Sequence, residues 1–340
     1  MKKYLLTPKK EFFKANLHSH SNYSDGRLTP QEMKEAYKKR GYSVIAYSDH
    51  NILIPHPELA DETFLPLNAV EVDVTEQNKK FVLAKACHLT MIALDPETKI
   101  LPCYNRKEYL FGNAGDHRSE VCFDESQPDY IRTYSPEGVN DMIEKFKEGG
   151  FFVTYNHPTW SLEDYTNYSA YNGMDAMEIC NYVCCSDGFY EYNERVYDDM
   201  LRAGKRIYCI AADDNHNGGE EHTYGFGAFG GFVMINAEKL EYKTITKALC
   251  DGNFYASSGP QIHELYVEND RVYIKFSPSV RVTMTTGSRH AEVKYADPGL
   301  TITSADFPIK DTDGYIRLKV VDSAGLPAFT NAYFLDDLKK

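Results

Sequence analysis

The sequence lacks an apolar run that could cross a membrane. A membrane-spanning helix needs about 20 mostly apolar residues, and no stretch of this chain reaches that length. The first eight residues contain two lysines and lack the apolar core that defines a signal peptide. We therefore expect a cytoplasmic protein that makes no contact with a membrane.

Cysteine motifs and basic runs are also lacking. None of the eight cysteines forms a Cys-x-x-Cys pair, so the thiols are expected to be reduced and mostly structural. The formal net charge is −13, and no cluster of lysine and arginine offsets it. Because such a chain repels a phosphate backbone, long nucleic acid is excluded as a partner. A small anionic substrate is not excluded, since cations in a metal-rich cleft would neutralise the carboxylates around them.

The first 255 or so residues repeat one order of elements: a helix, a glycine that ends it, an apolar strand and then polar residues. In the clearest instance, Thr29 and Pro30 begin a helix, Gly41 ends it, and residues 44–47 form a buried strand. The same order is predicted over residues 135–155 and 190–211, and residues 12–17 are predicted as a further strand.

Alternating helices and strands are typical of an α/β fold with a parallel sheet, in which the carboxyl ends of the strands meet on one side. Histidines and carboxylates directly follow each of four predicted strands. These residues are His18 and His20, then His50, then His157, and finally Asp214 with His216. Side chains two apart in an extended segment share one face, so both imidazoles of the His-x-His segment could bind one ion. Imidazoles and carboxylates together suit Zn, Mn or Fe, and we predict a metal site at this edge.

Two regions depart from this order. Residues 95–134 show no clear periodicity and are predicted as an insertion, either at the rim of the site or as an ordinary surface excursion. From residue 259 the pattern changes to short alternating runs, such as residues 271–276 and 315–320, which predict antiparallel strands. We therefore divide the chain into a domain of residues 1–258 and a small β-sandwich of residues 259–340.

The segment NLHSHSNYSDG at residues 16–26 resembles the start of the PHP (polymerase and histidinol phosphatase) family. The resemblance continues through a Thr-Pro-x-Glu helix start and SDHN at residues 48–51, then at Glu71, His88, NHP at residues 156–158 and DNH at residues 214–216. Residues 252–260 and 328–331 are similar to a branch of the family that has a C-terminal β domain and includes carbamate-cleaving hydrolases. The resemblance implies an α/β fold, a distorted (β/α)7 barrel, followed by a small antiparallel β-sandwich.

The family pattern implies nine metal ligands, and each position holds a residue that can bind a metal. A first ion would be held by His18, His20, Glu71 and Asp214. Glu71 would bridge to a second ion bound by His88 and His157, and a third would be held by Asp25, His50 and His216. The expected cofactors are therefore two or three divalent ions of Zn, Mn or Fe.

Two further acids adjoin the expected ligands. Asp49 precedes His50 and is expected to orient a ligand imidazole. Asp213 stands where relatives usually have glycine or serine, and it is interpreted as a side chain that lies behind a ligand or on the surface.

A hydrolase is the expected activity, because divalent ions acidify water and neutralise a phosphoryl group. Asp214, His216 and His222 are expected to act in catalysis, and Arg27 and Arg118 to bind a second phosphate. A solvated surface side chain is the alternative for His222 and for both arginines. The leading hypothesis is a phosphoesterase for a small phosphorylated metabolite or nucleotide. The alternatives are hydrolysis of a carbamate, amide or ester, and a non-catalytic, metal-binding regulatory module.

Overall fold

The computed structural model describes residues 2–221, 223 and 225–338. The first ten strands are β1 Lys3–Leu6, β2 Glu11–Asn16, β3 Val44–Tyr47, β4 Leu65–Thr75, β5 Ala86–Ala93, β6 Phe151–Tyr155, β7 Ala176–Asn181, β8 Tyr208–Ala212, β9 Phe232–Ala237 and β10 Phe254–Ser257. The remaining described strands are β11 Ile262–Glu268, β12 Arg271–Ser279, β13 Arg281–Thr286, β14 Ala291–Tyr295, β15 Ile302–Pro308, β16 Tyr315–Val321, β17 Pro327–Thr330 and β18 Tyr333–Phe334. The described α-helices are α1 Pro30–Lys39, α2 Pro136–Glu148, α3 Tyr165–Tyr168, α4 Tyr182–Ser186, α5 Glu194–Arg202, α6 Tyr242–Cys250 and α7 Leu335–Leu338.

Two of the predicted helix starts are confirmed by their capping bonds. Thr29 caps α1 by accepting a hydrogen bond from the Glu32 N–H, and the Glu32 carboxylate accepts one from the Thr29 N–H. Ser135 caps α2 by accepting a bond from the Gly138 N–H. The buried strands that follow these helices, β3 and β6, have the predicted bounds. None of the described helices has both the length and the apolar composition that a membrane span requires.

The large sheet is mixed, which corrects the expectation of a parallel sheet. Its order around the predicted site is β9-β2-β3-β4-β5-β6-β7-β8. Strands β2, β3 and β4 are parallel, as are β6, β7 and β8, but β5 runs antiparallel to both of its neighbours. Only residues 76–85 connect β4 to β5, and a segment of that length is too short for the helical crossover that parallel strands need.

Strands β2 and β8 meet just beyond their carboxyl ends. An isolated bridge joins Ser19 to Asn215. The Asp214 N–H donates to the His18 carbonyl at 2.9 Å, and the His20 N–H donates to the Asn215 carbonyl at 3.1 Å. Within the described residues, no continuous ladder closes these strands into the barrel that the resemblance implies. The two bonds nevertheless hold the two richest ligand segments side by side.

The last third of the chain contributes to two sheets. Strands β1, β11, β12 and β15 form a separate antiparallel sheet. The large sheet continues from β9 through β10 and β17 into β16, so it crosses the predicted domain boundary without a break. Both sheets share one apolar core, which includes Leu265, Phe276, Phe307 and Leu318, each at most 1% exposed. The antiparallel strands predicted after residue 259 are thus present, and the boundary at residues 258 and 259 stays a prediction.

Candidate metal centre

The nine predicted ligands lie together at one end of the large sheet. They come from the segments after β2, β3, β6 and β8 and from within β4 and β5. Distances of 2.9 to 4.0 Å between imidazole nitrogens and carboxylate oxygens connect all nine. Glu71 is the centre of this cluster, because its two oxygens lie 3.1 to 3.3 Å from nitrogens of five histidines.

Four of these residues have the geometry of a single metal site. The Nε2 atoms of His18 and His20 lie 3.1 Å apart, a separation at which two imidazoles face a shared ion. Glu71 Oε2 lies 3.3 Å from each of these nitrogens, and Asp214 Oδ1 lies 3.2 Å and 2.9 Å from them. Ligands of a tetrahedral ion with bonds of about 2.0–2.1 Å are about 3.3–3.4 Å apart. The four side chains are buried and therefore fit one divalent cation.

Unpartnered polar atoms support this fit. Asp214 Oδ1 is buried and receives no hydrogen bond of acceptable geometry, although the His20 nitrogen is close to it. His50 Nδ1 is likewise buried without a hydrogen bond of acceptable geometry, although Glu71 Oε2 lies 3.1 Å away. Leaving a buried polar atom without a partner costs about 1–3 kcal/mol. Bound cations would satisfy both atoms.

The electrostatics of this group place positive charge among the carboxylates. Burial by itself lowers the pKa of His20, but Asp214 and Glu71 outweigh burial and raise this pKa to about 10. The pKa of His18 is raised well above its ordinary value against the same effect of burial. The imidazoles in turn hold the pKa of Asp214 below its usual range, although burial opposes this. Protons and a divalent cation compete for these atoms, so metal binding must release protons.

The other candidate ligands group somewhat differently from the family pattern. Asp25, His50 and His216 lie together as expected, and His20 joins them because its Nδ1 is 3.8 Å from Asp25 Oδ1. A further group combines His50, Glu71 and His88. His157 lies outside that group, but its Nε2 is 3.3 Å from Glu71 Oε1. His88 Nδ1 lies 3.1 Å from the same oxygen. The two oxygens of Glu71 therefore face different histidines, an arrangement that fits a bridging carboxylate.

Glu178 is a central residue of the site that the sequence reasoning missed. It lies in β7 and is fully buried. Its Oε1 is 2.7 Å from His18 Nδ1, and its Oε2 accepts bonds from the His157 N–H and from the Asn181 side chain. Asn181 also donates to Asp214 Oδ2 at 3.1 Å. The available signal was a single acid in the otherwise uncharged strand of residues 176–181.

Asp49 and Asp213 hold loops beside the ligands. The Asp49 carboxylate accepts bonds from Ser21 and Ser24, so it fixes the turn after His20 instead of orienting an imidazole as expected. Asp213 is fully buried behind the ligands. Its carboxylate accepts bonds from the Tyr37 hydroxyl and from the backbone N–H groups of residues 229–231.

A cavity of about 420 Å³ opens onto this cluster. Seven of the nine predicted ligands line it, whereas His18 and His20 are fully buried and do not. The single tryptophan of the chain, Trp160, also lines it, and sequence reasoning did not identify this residue. Phe111 reaches the cavity from residues 95–134, which places part of the insertion at the rim of the site.

The structure does not bring the predicted phosphate-binding arginines to this cavity. Arg27 is exposed, and its backbone N–H donates to the His216 carbonyl. Arg118 donates to the Arg106 carbonyl within the insertion. Neither arginine is among the described residues that line the cavity. His222, which was expected to act in catalysis, lies outside the described residues.

The fold and the site together define a class of protein: a mixed α/β chain whose sheet carries histidine and carboxylate clusters that could bind metal. The family model of the PHP domain matches residues 16–213, more than half of the chain. The chain belongs to the PHP domain family.

Several solved structures are also similar to the chain. The chain is similar to a two-domain protein from Bacteroides vulgatus containing a predicted PHP-like metal-dependent phosphoesterase, with 13% identity, a TM-score of 0.45 and coverage of 97% of this chain and 98% of that one. It is similar to a candidate metal-dependent phosphoesterase from Bifidobacterium adolescentis, with 16% identity, a TM-score of 0.40 and coverage of 70% and 96%. An amidohydrolase from Chromobacterium violaceum, with bound sulfate and no metal, has 16% identity, a TM-score of 0.38 and coverage of 62% and 89%. No curated protein matches the chain significantly.

Proposed function

We propose that this protein is a metal-dependent hydrolase that cleaves an ester of phosphoric acid in a small substrate. The observation that carries the proposal is the four-ligand group of His18, His20, Glu71 and Asp214, two of whose members line an open cavity. A structural metal site is usually closed by its ligands, whereas a catalytic site leaves room for water and substrate.

The ligand set determines which cations fit. Imidazole and carboxylate ligands suit Zn, Mn or Fe. The three overlapping groups of candidate ligands support our proposal of two or three ions. Bound ions would lower the pKa of water and neutralise the negative charge of a phosphoryl group. We also infer that β2 to β8 form the distorted (β/α)7 barrel of the family, followed by a β-sandwich, in a cytoplasmic protein.

The reaction is a displacement at phosphorus. The oxygen of one water molecule forms a bond to phosphorus, the bond from phosphorus to the alcohol oxygen breaks, and the alcohol leaves with one proton of the water. Asp214 and His216 line the cavity, and we propose that they act beside the reacting phosphorus. A catalytic role of His222 stays a prediction.

Substitution of one ligand tests the proposal. Asp214→Ala and His157→Ala are each expected to lower hydrolysis of 4-nitrophenyl phosphate and of bis(4-nitrophenyl) phosphate by about 1,000-fold or more, because each removes a ligand that lines the cavity. Circular dichroism checks that the fold survives. His263→Ala is the control, since His263 is exposed and lies in β11, far from the site in the fold. Near wild-type turnover by the Asp214→Ala variant contradicts the proposed site.

A second candidate is hydrolysis of a carbamate, amide or ester. The cavity wall favours it in one respect, because no described lysine or arginine lines the cavity to bind a phosphate. Turnover of phenyl N-methylcarbamate without turnover of either phosphate ester selects this candidate. If fully metal-loaded protein hydrolyses none of these compounds, the remaining reading is a non-catalytic, metal-binding regulatory module.

A further inference from the structure

The walls of the cavity are unusual for a site that would bind several phosphates. Among the described residues, the only charged lining side chains besides candidate ligands are Asp73 and Asp187, and both are acidic. The large apolar side chains of the wall are Phe81, Phe111 and Trp160. Apart from the candidate ligands and the cations they would bind, the described wall therefore offers an anion no positive side chain.

Trp160 is held in place by a dedicated contact. Glu191 is fully buried, and its carboxylate accepts bonds from the backbone N–H groups of Thr159 and Trp160 at 3.1 Å and 2.9 Å. The indole meets the rings of His88 and His157 edge to face, with centroid distances of 5.4 Å and 5.1 Å. A flat apolar wall thus stands directly beside two candidate metal ligands.

Two phenylalanines extend this wall to the mouth of the cavity. Phe81 is 69% exposed, and its ring centroid lies 6.5 Å from that of Trp160. Phe111 is 45% exposed, and its ring lies 4.9 Å from that of His50. Several large apolar side chains grouped at the mouth of a cavity are typical of a ligand-binding surface.

Of the two acidic residues, Asp187 acts against additional negative charge, whereas Asp73 is paired with the buried Arg132. Asp187 accepts a hydrogen bond from the Gly225 N–H, and Asp73 is bonded to the Asn51 side chain with Arg132 3.5 Å away. A second phosphate in the cavity would face the Asp187 carboxylate, and no described lysine or arginine lines the cavity to pair with that phosphate. Like charges in a partly enclosed site repel strongly because little water screens them.

We propose that the cavity selects phosphodiesters that carry a single negative charge and an aromatic or similarly flat apolar group, which packs against Trp160 and Phe81. This inference rests on the proposed phosphoester hydrolysis and names its substrate class. It narrows the expected small phosphorylated metabolite or nucleotide to this class, because the second phosphate expected from Arg27 and Arg118 has no lysine or arginine partner in the described wall.

Three substrates with one leaving group provide the test. 4-Nitrophenyl phenyl phosphate has one negative charge and an aromatic arm, methyl 4-nitrophenyl phosphate has the same charge and a small arm, and 4-nitrophenyl phosphate carries two charges. The kcat/KM of the metal-loaded protein for each compound is divided by the rate of its uncatalysed hydrolysis. We expect the phenyl diester to exceed the methyl diester by about tenfold, the effect of one well-packed aromatic contact, and to exceed the monoester by more.

Three variants assign this preference to named side chains. Phe81→Ala and Trp160→Ala are expected to reduce the phenyl-to-methyl ratio to about 2 or less. Asp187→Asn is expected to raise activity on the monoester relative to the diesters, because the amide oxygen keeps the bond to Gly225 and the charge is removed. Leu83→Ala is the matched control for Phe81→Ala, since both residues lie in the 3₁₀ turn Phe81–Leu83. Leu83 is 65% exposed and does not line the cavity.

Failure of the inference differs from failure of the proposed function. Equal ratios for the two diesters, or a preference for the monoester, overturn the inference and leave phosphoester hydrolysis standing. If no phosphate ester is cleaved, the proposed function fails, and the fluorescence of Trp160, the one tryptophan of the chain, decides the inference. Binding of phenylphosphonate about tenfold tighter than methylphosphonate then supports the aromatic subsite, and equal binding overturns it.

Discussion

Glu178 connects three parts of the candidate metal centre. It orients the imidazole of His18, holds the backbone of His157 and bonds to Asn181, which reaches Asp214. A carboxylate that accepts the second ring N–H of a ligand histidine fixes the orientation of the ring and increases its basicity. Glu178 therefore positions ligands without lying among them.

Removing this charge should weaken metal binding. Glu178→Gln is expected to lower the affinity for Zn²⁺ by about 10- to 100-fold while the fold survives, because the amide cannot accept all three hydrogen bonds. Competition with a chromophoric chelator measures the affinity. Glu264→Gln is the matched control, since Glu264 is also buried and belongs to β11 in the other sheet. Equal affinities of the wild-type protein and the Glu178→Gln variant would show that Glu178 has no role in positioning the ligands.

Glu163 provides a pH-dependent contribution to stability. Burial raises its pKa above the ordinary value of 4.5, although the hydroxyls of Tyr134, Tyr155 and Tyr171 oppose the shift. The folded protein thus binds this proton more tightly than the unfolded chain does. The stabilising contribution is complete below about pH 4.5 and is lost as the pH rises through the pKa that Glu163 has in the folded protein.

Substituting Glu163 should remove this pH-dependent contribution to stability. We expect the free energy of unfolding of the wild type, relative to Glu163→Gln, to fall as the pH rises from 4.5, as measured by urea titrations at several pH values. Glu264→Gln serves as a control of opposite sign, because Lys275 and Lys2 lower the pKa of Glu264 against the effect of burial. A pH-independent difference for Glu163→Gln contradicts the shift.

Sequence reasoning identified the candidate ligands that cluster in the structure and missed the residues that support them, for a physical reason. His18, His20, His157 and Asp214 follow predicted strands, and the position of a strand end can be read from local periodicity. Glu178 and Trp160 acquire their roles only from contacts between segments far apart in the chain. The phosphate-binding roles of Arg27 and Arg118 likewise depended on where long side chains point, which periodicity does not determine.

Among the secondary-structure elements, the β4–β5 hairpin shows the limit of the parallel-sheet prediction. Helix α1 with β3 and helix α2 with β6 follow the expected order, and their bounds were predictable from caps, glycines and apolar runs. Between β4 and β5 there is no α-helix but only the 3₁₀ turn Phe81–Leu83, and the chain reverses. The reversal places Glu71 in the middle of a strand and His88 on the adjacent one, where both face the cluster.

The insertion contains one buried cation, Arg132, that contacts the segments beside the candidate metal centre. Arg132 donates to the Asn51 side chain and to the Asp73 carbonyl at 2.6 Å and 2.7 Å, and its guanidinium lies over the ring of Tyr109. Its side chain is 5% exposed. These contacts attach residues 95–134 to the segments that follow His50 and Glu71.

Loss of this cation should destabilise the fold. Arg132→Met keeps the apolar stem and is expected to lower the free energy of unfolding by about 2–4 kcal/mol, because the Asn51 and Asp73 oxygens lose a buried charged donor. Urea denaturation measures the change. Arg106→Met in the same insertion is the control and should cost less than about 1 kcal/mol, since the side chains of its pair with Asp129 are 35% and 29% exposed and water screens them. Equal costs for the two variants would mean that Arg132 does not anchor the insertion.

At the scale of the whole molecule, the large sheet joins the two predicted domains. Strands β9, β10, β17 and β16 are continuous across residues 258 and 259. A sequence pattern can show that the spacing of apolar residues changes at this point, but it cannot show which strands pair. We therefore expect the chain to unfold as one cooperative unit.

A core substitution in the smaller sheet tests this cooperativity. Phe276→Ala should lower the free energy of unfolding by about 3–5 kcal/mol. If the chain unfolds as one unit, the denaturation midpoint measured by Trp160 fluorescence and the midpoint measured by far-ultraviolet circular dichroism should shift by the same amount. Phe276 is in β12, whereas Trp160 lies beside the metal centre. Thr303→Ala, at an exposed position of β15 in the same sheet, is the control with an effect below about 0.5 kcal/mol. If only the circular dichroism midpoint shifts, the two predicted domains fold independently.

The pairing of β1 with β11 has a consequence for synthesis on the ribosome. Leu6 and Ile262 belong to adjacent strands although about 250 residues separate them in the chain. At about 5–20 residues per second, roughly 13 to 50 s pass between the translation of one strand and that of the other. During this interval the early strand has an open edge that can pair with neighbouring nascent chains. Rapid completion of the polypeptide, or a chaperone that covers this edge, should therefore increase the yield of native protein.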